Sequence, residues 1–260
     1  MNKLVLSLGA CLMGAVALGV ENPLPKWAFG GFERPAGVNP VIKPNAATEF
    51  PCPMQKRPIK WEESDTFNPA AAVKDGKIHV LYRAEDNTAQ GVGSRTSRIG
   101  LAVSEDGVTM ARESKPVLYP GGDDQEAFDC PGGCEDPRVA VTEDGLYVMT
   151  YTSWNRRCPR LCIATSRDLR HWTKHGPAFA KAQNGRFLNM GCSLDEPYFR
   201  PLADFERKGQ YAEGTVFTEG LVYYNGKWYM YYGCADSRVG VAVWDPKKGG
   251  RCGDPLPPAK

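Results

Sequence analysis

The 260-residue sequence lacks a strong charge of either sign: 32 Lys and Arg face 30 Asp and Glu, a net of +2. Without a basic excess there is no bulk electrostatic case for nucleic acid as a partner. It lacks low-complexity tracts and an evident linker. It has a single long apolar run, Leu4 to Val20, short for a membrane-spanning helix and followed by polar, Pro-containing sequence. Lys3 ahead of that run and Ala15-Val16-Ala17 within it give the form of a secretory signal. Residues 1–19 are therefore expected to be signal and residues 20–260 one domain. The product is then secreted or periplasmic, with no membrane attachment after cleavage. Leu8-Gly9-Ala10-Cys11 resembles a lipoprotein box, but the apolar stretch before Cys11 is unusually short. Beyond the signal no persuasive amphipathic helix is found. The Gly- and Pro-rich tail from Lys247 to Lys260 is expected to fray.

No histidine stands at zinc-finger spacing from the C-x3-C pairs Cys130/Cys134 and Cys158/Cys162, and Pro159 interrupts the second pair. His171 and His175 have i, i+4 spacing. They lie between Asp168-Leu169 and Gly176-Pro177, however, and read as strand and turn. No metal site is expected. Eight cysteines follow the signal, and an even count in an exported chain permits disulfides whose pairing the sequence does not give. Buried free thiols are the alternative.

What is present is Gly (28) and Pro (21), scattered, as in chains of many short strands joined by turns. Three segments are alike: Asp75-Gly76-Lys77-Ile78-His79-Val80-Leu81-Tyr82, Asp144-Gly145-Leu146-Tyr147-Val148-Met149-Thr150-Tyr151 and Asn225-Gly226-Lys227-Trp228-Tyr229-Met230-Tyr231-Tyr232. Each opens on a tight-turn dipeptide and continues as a β-rich run. Each is followed by a second strand signal, Ser97 to Ser104, Pro159 to Ser166 and Ser237 to Val243, which keeps an Arg and an Ala at matching places. A strand, loop, strand, turn unit recurring every roughly 70 to 80 residues suggests propeller blades, with a β-sandwich as the competing reading.

Polar residues gather where these strands end. Phe67-Asn68-Pro69-Ala70 precedes the first repeat, and Tyr82-Arg83-Ala84-Glu85-Asp86 ends it. Gly133-Cys134-Glu135-Asp136-Pro137-Arg138 precedes the second, and Thr152-Ser153-Trp154-Asn155-Arg156-Arg157 follows it. Phe217-Thr218-Glu219-Gly220 precedes the third, and Gly233-Cys234-Ala235-Asp236-Ser237 follows it. Propeller symmetry would aim these positions at one pocket. Carboxylates and Asn bind vicinal hydroxyls, an aromatic face such as Trp154 stacks on a sugar, and a carboxylic acid protonates a leaving oxygen. For any one of these acids alone, a turn cap or an Arg-paired structural role is the plainer explanation.

Five of these motifs, in this order, together resemble glycoside hydrolase family 130. They are Phe67-Asn68-Pro69-Ala70, Tyr82 to Asp86, Ser97-Arg98-Ile99-Gly100-Leu101-Ala102, Gly133 to Arg138 and Gly233 to Ser237, and the likeness covers about residues 60 to 245. The resemblance implies an all-β, five-bladed propeller acting on β-mannosidic linkages with inversion, by hydrolysis or phosphorolysis. It implies Asp136 as general acid, its proton passing through a hydroxyl of the bound mannosyl unit. Asn68, Arg83, Asp86 and Asp236 would line the mannosyl subsite, and Arg138 would hold Asp136. Glu219 is the candidate for a second carboxylate. Arg156, Arg157 and Arg160 occupy the region that binds phosphate in phosphorylases. No cofactor is implied, inorganic phosphate being co-substrate in the phosphorolytic case. The partner is an oligosaccharide.

The sequence departs from that family in one respect. Three repeats are visible where five blades are needed, and Ser193-Leu194-Asp195-Glu196 already looks like the approach to the last blade. The resemblance thus implies that on the order of a hundred residues are absent around Cys192 and Ser193. A carbohydrate-binding remnant without turnover is the alternative function. A related group of five-bladed glycosidases acting on arabinosides or fructosides shares the Asp168-Leu169 turn before Trp172. The Glu-Asp-Pro-Arg context and the Ala-Asp-Ser turn fit the mannoside family better.

Overall fold

The repeats become hairpins. In the computed structural model, which describes residues 31–179, 199–211 and 213–248, β1 (Phe50–Cys52) and β2 (Arg57–Ile59) form a small leading hairpin. β3 (Asp65–Lys74) and β4 (Lys77–Glu85) are then joined by Asp75-Gly76. The central residues of that turn have φ of 50° and 67°, the left-handed pair that suits the twist of a two-residue hairpin. β5 (Ser97–Ser104) and the short β6 (Ala111–Arg112) complete the first sheet. The helix α1 (Glu126–Asp129) follows.

The second sheet runs β7 (Gly133–Val141), β8 (Tyr147–Trp154), β9 (Pro159–Ser166) and β10 (Thr173–Pro177), all antiparallel neighbours. Its first turn differs from the others: pairing stops at Val141↔Tyr147, so a longer loop replaces the two-residue turn that Asp144-Gly145 suggested. The third sheet is β11 (Val216–Tyr224), β12 (Lys227–Cys234) and β13 (Arg238–Trp244), with Asn225-Gly226 again left-handed at 46° and 78°. The early chain adds an outer edge to it through bridges at Glu33↔Val243 and Ile42↔Val239. The expected signal, the Cys192/Ser193 junction, Cys252 and most of the tail lie outside the described residues.

The fold is all-β; among the described residues there are, besides α1, only two three-residue 3-10 turns. Among the described residues no helix is long and apolar enough to cross a membrane. The first and second sheets are joined by one parallel pair, Ser97↔Gly133, while β3 packs against both β7 and β11. The described sheets form an arc and do not close a ring.

The first sheet sits in the middle of that arc. Successive residues of β4 serve opposite cores, as strand geometry requires. Val80, Tyr82 and Ala84 meet Tyr229, Tyr231, Val239 and Val241 of the third sheet, whereas Leu81 meets Met149 and Tyr151 of the second. A tyrosine recurs in the middle strand of all three sheets: Tyr82 and Tyr232 lie opposite Gly100 and Gly240, and Tyr151 lies opposite Cys162. A Cβ on Gly100 would come within 2.5 Å of Tyr82 Cζ, so the tyrosine ring fills the place of the missing side chain.

The disulfide expectation is not met among the described residues. Cys52, Cys130, Cys134, Cys158, Cys162 and Cys234 are all unpaired, four of them buried. Cys134 and Cys162 belong to the apolar core between the first two sheets. The Cys130 and Cys134 thiols both turn to the Asp129 carboxylate, at 3.6 and 3.8 Å. The two histidines also part company: His171 Nδ1 lies 2.6 Å from Asp168 in the turn, and His175, on β10, lies 2.8 Å from the Thr165 hydroxyl.

Candidate functional site

Each of the three first strands carries a bulge, and each bulge carries a candidate. The register slips between Phe67 and Ala70, between Glu135 and Arg138, and between Thr218 and Gly220. The residues thrown out of register are Asn68-Pro69, Asp136-Pro137 and Glu219. Asn68 and Asp136 have φ of 45° and 48° although each precedes a proline, which ordinarily forces extended backbone. Left-handed conformation at a non-glycine residue is costly and collects where a side chain must be aimed. Gly133, which opens β7, crosses the Ser97 backbone so closely that any Cβ would collide with it. Only glycine lets β7 enter beside β5 at this point.

The aim is convergent. Asn68 Nδ2 donates to Asp136 Oδ1 at 2.8 Å, and Arg83 NH1 donates to the same oxygen at 3.1 Å. Oδ2 takes part in neither bond, on a side chain 32% exposed. Arg83 lies over the Phe67 ring at 4.6 Å and also donates to Glu85 (2.7 Å), Glu135 (3.0 Å) and the Ser97 hydroxyl (3.0 Å). One guanidinium therefore organises three carboxylates. Burial pushes the Glu135 carboxyl up to about 7 against the pull of Arg83. Arg95 reinforces the cluster by pairing with Asp65.

Arg138 does not hold the Asp136 carboxylate as expected. Its guanidinium reaches the Asp136 and Pro137 main-chain oxygens and donates to Glu219 Oε1 at 2.8 Å. Asn68 and Arg83 are already on Asp136 from the neighbouring sheet, and Arg138 points past it to β11. Glu219 is nearly buried, with its carboxyl pushed up to about 7 by that burial. Asp236, left-handed at 50° in the turn after β12, is likewise raised to about 6 by burial. The buried oxygens Asn68 Oδ1, Glu219 Oε2 and Asp236 Oδ1 have no hydrogen-bond partner. Buried polar atoms are ordinarily satisfied, so three orphan acceptors close to one carboxylate call for a ligand that donates hydrogen bonds.

The other sequence candidates stand apart from this cluster. Asp86 accepts from Arg98 at 2.8 Å and from Gln55 and Thr88. Trp154 ends β8 with its indole nitrogen on Gly93 O at 3.0 Å. Arg156 and Arg157 are exposed in the turn between β8 and β9, and Arg160 stacks over Phe128 at 5.4 Å. Sequence reasoning missed Glu85, Glu135, Ser97 and Gln210, the last of which donates to Glu85 at 3.2 Å and to the Asp236 carbonyl at 3.0 Å. Ser97 and Glu135 stood inside quoted motifs, where their adjacency to Arg98 and Asp136 was the available signal.

The chain is similar to several known proteins. The model of a family described as beta-1,4-mannooligosaccharide phosphorylase, Glyco_hydro_130, matches residues 34–193. A curated 1,2-beta-oligomannan phosphorylase from Thermoanaerobacter sp. (strain X514) is 38% identical over 140 residues. That match takes in 52% of this chain and 45% of the relative, so the chain spans under half of that relative's length. The beta-1,2-mannobiose phosphorylase of the same organism is 26% identical over 292 residues, covering 74% of this chain and 94% of its own. A solved structure from work describing GH130 glycoside hydrolases that target beta-1,2 mannosidic linkages in Candida mannan is 42% identical. It superposes with a TM-score of 0.82 over 91% of this chain and 99% of that one.

Proposed function

The chain belongs to glycoside hydrolase family 130, and from that premise we propose that it cleaves β-mannosidic linkages with inversion, Asp136 serving as general acid and Glu219 as the second carboxylate. The observation that carries this reading is the locked Asp136. Its backbone is left-handed, its Oδ1 is held by Asn68 and Arg83, and its Oδ2 takes part in neither bond. Oδ2 then bears the proton that passes through a mannosyl hydroxyl to the leaving oxygen. The orphan oxygens of Asn68, Glu219 and Asp236 accept from the remaining hydroxyls, consistent with Asn68, Arg83 and Asp236 forming the mannosyl subsite.

The attacking species is water. Around the site stand the carboxylates of Asp65, Glu85, Glu135, Asp136, Glu219 and Asp236, against the guanidinium groups of Arg83, Arg95 and Arg138. With burial raising Glu135 and Glu219 to about 7 and Asp136 carrying the proton it transfers, the cluster still has no positive excess to attract a phosphate dianion. Arg156 and Arg157 are exposed in a turn and are not joined to the cluster. Incubating the protein with β-mannobiose with and without inorganic phosphate is the test. Mannose released at equal rates in both is expected, and mannose 1-phosphate formed only with phosphate would reverse the choice of acceptor.

The three sheets are, on the same premise, blades of a five-bladed propeller that lacks part of its ring. The match with the mannobiose phosphorylase runs over 292 residues yet draws on only 74% of a 260-residue chain, so a long stretch of the relative has no counterpart here. This observation favours a second reading, a mannoside-binding remnant. Calorimetric binding of mannobiose with no mannose released would establish it.

A further inference from the structure

A second concavity lies on the outer flank, between the loop 116–124, the turn from Arg170 to Lys174 at the start of β10, and Pro53 of the leading hairpin. Its volume is about 730 Å³, within the range of roughly 300 to 1,000 Å³ usual for small-ligand sites. Its walls are amphipathic. Tyr119, Trp172 and Pro116 supply apolar surface, and Asp123, Asp124 and Lys174 supply polar groups.

The charges narrow the occupant. Lys174 is already matched, donating to Asp129 at 2.6 Å, to Asp123 at 2.9 Å and to the Tyr119 carbonyl at 2.7 Å. Arg170 is matched by Glu113 and His171 by Asp168. All three ammonium protons of Lys174 are therefore engaged, and each cation of this wall already faces a carboxylate. Asp124 lies on the rim, with Gln125 as its hydrogen-bond partner and no cation among the described residues. An aromatic wall beside a carboxylate that no cation faces among the described residues, with the nearby cations already paired, suits a neutral ligand that pairs apolar ring faces with hydroxyl donors. We propose that this concavity is a second glycan-binding site, taking a neutral oligosaccharide and holding an extended substrate away from the Asp136 pocket.

The choice of a mannoside as probe rests on the function proposed above; the site itself does not. Calorimetry with β-mannotetraose on the Asp136→Asn protein is expected to show two binding events per chain. Asp124→Ala, in the same background, should weaken one event about tenfold. Thr173→Trp, which fills the concavity from exposed edge strand, should abolish that event and leave the other. Asp124→Ala alone should leave turnover of mannobiose unchanged. A single event in the parent, or two events undisturbed by both substitutions, would overturn the proposal. So would competition by inorganic phosphate for the second event. Turnover of mannobiose by the unsubstituted protein separates the two claims. Its absence beside two binding events removes the catalytic reading and leaves this site standing.

Discussion

The first and second sheets share a sequence pattern and differ in burial. β4 is buried at every position after its first, whereas β8 alternates between buried and half-buried residues along its length. The first sheet has a neighbour on each face. The second has the first sheet on one face and, among the described residues, little on the other, where Leu161 is exposed. Their buried charges differ to match. In the first sheet Tyr82 donates to Glu62 at 2.8 Å and Arg112 pairs with the same carboxylate, and the third sheet repeats this with Tyr232, Glu206 and Arg34. The second sheet has instead Lys174 of β10 reaching across to Asp129, whose carboxylate also receives the thiol before Glu135-Asp136. The lesson is that one strand pattern sustains both environments, and that neighbours decide which positions are core.

Breaking the buried pair of the second sheet should have the largest effect. Lys174→Met leaves Asp129 in the interior without its cation and is expected to cost about 3–5 kcal/mol in urea unfolding. A loss below about 1 kcal/mol would mean that Asp129 is reached by water. Next comes the repeated tyrosine. Gly100→Ala drives a methyl into the Tyr82 ring and should cost about 2–3 kcal/mol, against about 1 kcal/mol for Cys162→Ala opposite Tyr151. Equal losses would show the two sheets to be packed alike.

The hairpins were legible because Asp75-Gly76 and Asn225-Gly226 specify their turns locally. Asp144-Gly145 misled on loop length, since Thr142 closes a wider turn by accepting from and donating to Leu146. Asn68 and Asp136 were legible as candidates through their proline-flanked motifs. Their partnership was not, because it joins residues 68 positions apart on different sheets. The same holds for Arg138, whose partner Glu219 lies 81 positions away, and for Lys174, whose importance depends wholly on what β10 packs against. The cysteines stayed undecided between cross-links and buried free thiols because their count is visible in a sequence and their burial is not; the six described ones are free.

The pH dependence sharpens the comparison within the site. Glu219 must be ionised to act on water, and burial holds its carboxyl near 7. Activity should therefore fall about tenfold per pH unit below that value, read from kcat/KM between pH 5 and 8. Removing Arg138 as Arg138→Met takes away the stabilising cation and should move this limb to higher pH. The smallest effect is reserved for the bare face: Leu161→Ala, 45% exposed on β9, should change stability by less than about 0.5 kcal/mol. A cost of several kcal/mol would mean that this face is covered in solution.

The most direct measurement is the steady-state turnover of β-mannobiose by Asp136→Asn beside the unsubstituted protein. Asparagine preserves the size of the side chain and can still accept from Asn68 and Arg83 through its carbonyl oxygen, but it has no acidic proton to give. Turnover is predicted to fall about 100- to 10,000-fold with the unfolding midpoint nearly unchanged. Turnover equal to that of the unsubstituted protein would contradict the assignment of Asp136 as the acid.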